Sequence, residues 1–76
     1  MTEPTIEMWV IYDHPTDCPD AFIARKWLVG RGVLKATTET MTEPEVETLR
    51  KYFEASGLIN LGRDPADDPA ILECWT

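Results

Sequence analysis

The residues best suited to chemistry sit close together near the start of the chain. Asp13, His14, Asp17, Cys18 and Asp20 fall within one short stretch that also holds Pro15 and Pro19. Three residues separate His14 from Cys18, a His-x3-Cys spacing compatible with zinc. A structural zinc site needs four ligands, and Cys74 would have to fold back to contribute. As a nucleophile and base, the same pair lacks a third orienting group and an oxyanion device. The carboxylates do not have calcium-loop spacing, which needs a central glycine and a distal bidentate glutamate. Asp13 and Asp17 are better read as turn formers, bonding backbone N–H groups two residues on. The expectation is therefore no enzyme, no metal and no cofactor.

The elements flanking this stretch must position it. Ile6 to Tyr12 is rich in β-branched and aromatic residues and reads as a strand. Pro15 and Pro19 then fix the loop and push His14 and Cys18 into extended backbone. Ala21 to Val29 reads as a second strand. Ile23, Arg25, Trp27 and Val29 share one face, and Phe22, Ala24, Lys26 and Leu28 the other. A strand apolar on both faces suits a central position or contact with a partner chain. Gly30-Arg-Gly32 signals a turn, and Val33 to Thr38 a third strand, with the threonines up to Thr42 fitting an edge strand or a loop.

Thr42 with Glu45 three residues on makes a capping box, and Pro44 fits the first turn. Val46, Leu49 and Phe53 form the apolar stripe, flanked by Tyr52, and Gly57 ends the element. This predicts a helix of about 14 residues, too short to stand alone in water. Leu58 to Leu61 fits a short strand or a buried connection. Ala70 to Trp75 reads as a last strand, with Ile71, Glu73 and Trp75 on one face and Leu72 and Cys74 on the other. The sum is a single α+β domain over residues 1–76, with 1–5 a loose lead-in: an antiparallel sheet of three to four strands with one helix on one face.

The totals limit the functions open to such a domain. Fourteen acidic residues against seven basic ones give a net charge of -7, the wrong sign for a protein that neutralises phosphates. Direct nucleic-acid binding is not expected, nor is attraction to an anionic membrane. No apolar run reaches the ~20 residues of a membrane helix, and two cysteines make no disulfide framework. The expectation is a cytoplasmic protein with reduced thiols. Charge is also segmented. Residues 1–24 carry acids and no Lys or Arg, residues 25–38 carry Arg25, Lys26, Arg31 and Lys35 and no acid, and residues 39–48 are again acidic. The candidate partner-binding set is Asp13, Asp17, Asp20, Glu39, Glu43, Glu45, Glu47, Asp64, Asp67 and Asp68. Solubility is the plainest role for such acids, and a surface that attracts a basic protein is the sharper one.

Two blocks carry a resemblance. They are Trp9-Val-Ile-Tyr-Asp-His-Pro-Thr-Asp-x-Pro-Asp-x-Phe-Ile-Ala-Arg-Lys-Trp27 and Gly57-Leu-Ile-x-Leu-x-Arg-Asp-Pro-x-Asp-Asp-Pro-Ala-Ile-x-Glu-x-Trp75, about half of the chain. Together they resemble a group of small bacterial and phage-associated proteins. The resemblance implies no reaction, only a mobile-element setting. Proteins of that group carry Tyr where this chain has Cys18, which argues against a ligand or nucleophile role there. In that setting a small acidic domain is expected to act as an inhibitor of the anti-CRISPR kind. Its carboxylates would stand in for phosphates in the basic groove of a nucleic-acid-binding protein or CRISPR effector complex. The rival readings are a small binding or enzymatic module built on the Asp13–Asp20 loop, and an accessory protein that dimerises through an apolar sheet face.

Overall fold

The computed structural model describes residues 5–16, 19–63 and 69–76. The order is β1 (Ile6–Asp13), β2 (Phe22–Gly30), β3 (Val33–Glu43), α1 (Val46–Ala55), β4 (Asn60–Gly62) and β5 (Ile71–Trp75). Among the described residues the strands form one sheet in the order β3-β2-β1-β5-β4, and all neighbours run antiparallel. The α+β class holds, but the sheet has five strands where three to four were expected. The extra one is β4, only three residues long, and it pairs solely with β5. No helix among the described residues is long and apolar enough to cross a membrane.

Strand alternation sorts the side chains. Trp9 and Ile11 of β1 lie beside Lys26 and Ala24 of β2 and beside Trp75 and Glu73 of β5. This is the face that α1 covers. Leu49 and Phe53 of α1 are fully buried there with Ile11, Ala24 and Trp75, and Trp9, Phe22, Met41, Val46, Leu58 and Leu72 pack around them. The Phe53 ring meets Trp9 at 5.5 Å and Trp75 at 5.8 Å between centroids, within the range where tilted aromatic pairs attract. The predicted stripe of Val46, Leu49 and Phe53 thus faces the sheet, while Tyr52 stays exposed. The alternate residues of β1 and β2, Met8, Val10, Tyr12 and Trp27 among them, point to the uncovered side.

The start of the helix departs from the sequence reading. Thr42 pairs with Ile23 and Glu43 with Phe22, so both belong to β3 and no capping box forms. Pro44 explains this, because a residue before proline is driven out of the helical region and Glu43 stays extended. Glu45 is the N-cap, with φ -125° and ψ 131° and no side-chain cap. The helix is therefore ten residues long, and Glu47 is the acid of its first turn. The same pairing carries β3 through the threonines, beyond Thr38, with an irregularity opposite Arg25 to Trp27.

The end of the helix is as expected. Gly57 has φ 82°. Its N–H donates to the Glu54 carbonyl at 3.0 Å and the Leu58 N–H to the Phe53 carbonyl at 3.0 Å, a complete Schellman motif. Strand β5 differs in its first turn of alternation. A register shift between Ile11 and Tyr12 sets Ile71 opposite Tyr12. Ile71 thereby joins Cys74 on the uncovered face, while Leu72 packs toward the core with Glu73 and Trp75. Ile71 and Leu72 are thus exchanged relative to simple alternation.

Gly57→Ala is expected to lower stability by about 1 kcal/mol, since a Cβ meets open space there and only the left-handed backbone is penalised. Urea unfolding should show a lower midpoint with an unchanged slope. An unaltered midpoint would mean that the helix does not depend on this stop.

Candidate functional site

Strand register decides which acids meet. β1 ends at Asp13, β2 begins at Phe22 and β3 ends at Glu43, and Asp13, Phe22 and Glu43 stand side by side across the three strands. Asp20 lies exposed in the turn into β2, and Glu45 lies exposed at the start of α1. Four carboxylates from distant parts of the chain are thus gathered at one end of the sheet. The Ala70 carbonyl, just before β5, accepts the Asp13 N–H at 2.8 Å, so the start of β5 lies at the same end. Asp17, Asp64, Asp67 and Asp68 of the expected set lie outside the described residues, as does Cys18.

The remaining two acids are engaged elsewhere. Glu39 pairs with Lys26 Nζ at 2.8 Å, and Glu7 holds the same ammonium at 3.2 Å. Hydrogen bonds to Glu39 first, and then to Glu7, raise the Lys26 pKa above its ordinary 10.5. Glu47 accepts from Arg50 Nη1 at 2.6 Å. The basic residues of the β2–β3 turn region, Arg31 and Lys35, are exposed at the opposite end of the sheet. Arg31 and Lys35 thus lie at the end of the sheet away from the four gathered carboxylates, an end they share with Glu7.

His14 occupies the rim of the acidic end. Its Nδ1 contacts the Asp13 carboxylate, and its ring meets Phe22 edge-on at 4.8 Å. The backbone of His14 is left-handed, with φ 46°, where the proline reading predicted an extended residue. An αL residue is tolerated here because the chain must turn sharply after β1. Cys74 lies opposite Val10 on β5, about 13 Å down the sheet from His14 by strand rise. That distance rules out a His14–Cys74 dyad. Among the described residues no group of three His, Cys, Asp or Glu side chains could hold a metal.

Sequence reasoning missed the most tightly bound acid. Glu73 was one acid among several near the end of the chain, yet it is 4% exposed beneath α1. Arg50 Nη2 donates to its Oε1 at 2.6 Å, and Arg50 Nε reaches both oxygens at 3.2 Å. Trp75 Nε1 donates to Oε2 at 2.6 Å and Asn60 Nδ2 to the same atom at 3.2 Å. The available signal was slight: Glu73 interrupts an otherwise apolar strand opposite a helix that has an arginine on its flank. Hydrogen bonding to Glu73, and then to Glu47, holds the Arg50 guanidinium well above the ordinary arginine range. The carboxylate is saturated by donors and closed to solvent, so its role is to hold the fold.

Comparison with protein-family models, with curated proteins and with solved structures yields no match.

Two measurements probe these ion pairs. Glu73→Gln is expected to destabilise by roughly 3 kcal/mol, because it strands a partly buried guanidinium. The double change Glu73→Gln with Arg50→Met removes the charge and keeps a side-chain oxygen for the Trp75 indole, so it should recover most of that loss in urea unfolding. A loss no greater than that of an exposed-acid control would remove the tether from the account. For Lys26, a raised folded-state pKa contributes stability below the unfolded value and loses it as pH climbs through the folded one. The stability difference between the parent and Lys26→Met should thus stay flat from neutral pH upward and shrink above 10.5. A difference that shrinks on acidification alone would contradict this.

Proposed function

We propose that the protein is a non-enzymatic binding protein that presents its acidic sheet end to a basic, nucleic-acid-binding surface of another protein. One observation carries this reading: Asp13, Asp20, Glu43 and Glu45 converge on one end, and Arg31 and Lys35 lie at the other. Carboxylates held on strand ends and a helix start occupy fixed positions, as phosphates along a backbone do. A partner groove built to neutralise phosphates can accept them without rearrangement, and the attraction steers encounter as well as register. Arg31 and Lys35, at the far end, are repelled by the same groove, which favours approach by the end that carries the four carboxylates.

The resemblance to phage-associated proteins supplies the setting. In it, the basic groove belongs to a host-defence nucleoprotein, and the protein acts as an inhibitor of the anti-CRISPR kind. Such a function needs no cofactor, metal or catalytic group.

The direct test is capture of CRISPR effector complexes by the immobilised protein, with and without competing DNA. The expected result is binding that DNA displaces. Changing Asp13 and Asp20 to Asn, and Glu43 and Glu45 to Gln, should slow association about 10- to 100-fold and flatten its salt dependence. The urea midpoint should stay near the parent value, since three of the four residues are exposed and the fourth lies at a strand end. Absence of binding to every effector tested, or binding indifferent to DNA and to the four substitutions, would sink the proposal.

A further inference from the structure

The helix covers one side of the sheet and leaves the other open among the described residues. On that side Met8, Tyr12, Trp27, Leu34, Ile71 and Cys74 surround a shallow hollow of about 140 Å³, with Val10 at its floor. The residues around it include strongly exposed ones: Leu34 is 68% exposed and, next along the same row of β1, Ile6 is 64% exposed. The hollow is too shallow to enclose a small molecule, because ligand sites bury most of their occupant within several hundred cubic ångströms. Its rim is flat, and its lining is almost wholly apolar. Such a face suits another flat apolar surface.

We propose that this face is occupied by a second copy of the chain, packed sheet against sheet with the strands of the two copies antiparallel. Two arguments select this occupant. The first is area. Four strands, β3, β2, β1 and β5, at about 4.8 Å spacing and some 26 Å long present roughly 500 Å² each, or roughly 1,000 Å² for the pair. That is about the least a specific interface requires.

The second argument is charge. A two-fold axis in the plane between the sheets can lie along the strands or across them. Along the strands, it brings the same sheet end of both copies together, so that the exposed Asp20 turns share one end. Across the strands, it keeps β3 over β3 but reverses it. The exposed turn residue Arg31 of one copy then lies at the level of the exposed turn residue Asp20 of the other, with the sheets about 10 Å apart, while Lys35 and Glu43 point to the helix-covered faces and take no part. At that separation attraction survives physiological salt only in part, so it chooses the orientation while the apolar face supplies the affinity.

The arrangement also gives Arg25 a place. This half-buried cation lies on the open face opposite Val10 and Thr40. Arg25 and Trp27 flank Lys26, the middle residue of β2. An axis passing near that point sets Arg25 of one copy over the Trp27 ring of the second, a favourable cation–π contact, and keeps the two arginines apart. Each pole of the resulting dimer carries the acidic end of one copy beside the basic turn of the other. The inference does not rest on the proposed inhibitory role, and its test needs no partner protein.

Sedimentation equilibrium of the full chain across the micromolar range is expected to show twice the 8.7 kDa monomer mass at the upper concentrations. Leu34→Asp should raise the dissociation constant at least 100-fold while circular dichroism stays native, since that side chain is mostly exposed. Arg31→Glu and Asp20→Lys, each made alone, should weaken the dimer about threefold, and added salt should weaken the parent dimer likewise. A monomer at every concentration overturns the proposal, as does a dimer indifferent to Leu34→Asp. Tightening by salt or by the charge reversals would overturn the antiparallel orientation. Saturable quenching of tryptophan fluorescence by a single-stranded oligonucleotide, abolished by Leu34→Asp, would assign the face to nucleic acid and overturn the second copy as its occupant.

Discussion

A single buried carboxylate joins the layers of this fold. Glu73 lies in β5, between β1 and β4, and takes donors from the helix through Arg50, from β4 through Asn60 and from its own strand through Trp75. A buried ion pair is weak evidence for net stability, because desolvation consumes much of the attraction. Its value here is specificity. The apolar stripe of α1 would pack on the sheet at several angles and offsets at similar cost. A guanidinium with two bonds to one carboxylate fixes both. The short helix needs that help, since it has no side-chain cap at its start.

The covered face and the open face then divide the tasks. On the covered side, Phe53 lies between Trp9 and Trp75 and is buried with Ile11 and Leu49. A domain of this size buries only about 60% of its unfolded surface, so one packed layer is close to the limit of what the chain can build alone. The other side of the sheet is apolar without being covered by described residues. The two tryptophans of the first pair of strands illustrate the split: Trp9 packs against the core cluster, and Trp27 lines the hollow opposite. Among the described residues the indole N–H of Trp27 is buried with no acceptor, a local cost on the side that the helix does not cover.

Much of the scaffold was legible because it depends on local chemistry. β-Branched and aromatic runs gave β1, β2 and β5, the Gly30-Arg-Gly32 turn gave the β2–β3 hairpin, and Gly57 gave the helix stop. The failures came where a longer-range constraint overrode a local one. Thr42 and Glu45 have the spacing of a cap, but pairing with β2 keeps Thr42 in the sheet and Pro44 delays the helix. Ile71 and Leu72 alternate on paper, yet one irregularity opposite Ile11 and Tyr12 exchanges them. The acidic end was only half legible. Segmentation of charge was visible, but Asp13, Asp20, Glu43 and Glu45 meet through strand register, whereas Glu39 and Glu47 of the same segment turn to Lys26 and Arg50. Glu73 could not be told from a surface acid, because nothing local marks a strand that will be overlaid by a helix.

The position of β5 has a consequence for the order in which the molecule is assembled. Residues 6–13 find one neighbour soon, in β2, and the other only when residues 71–75 arrive from the far end of the chain. A meander of β1, β2 and β3 can form from nearby contacts alone. Closing the sheet requires a loop spanning most of the chain, the kind of topology that folds in milliseconds to seconds. Until then β1 is an unpaired edge bearing Trp9 and Ile11, a template for mispairing with other chains. Burial of Glu73 can occur only at that last step. The charge that fixes the helix therefore also marks the completed sheet, and a chain interrupted before residue 71 has neither.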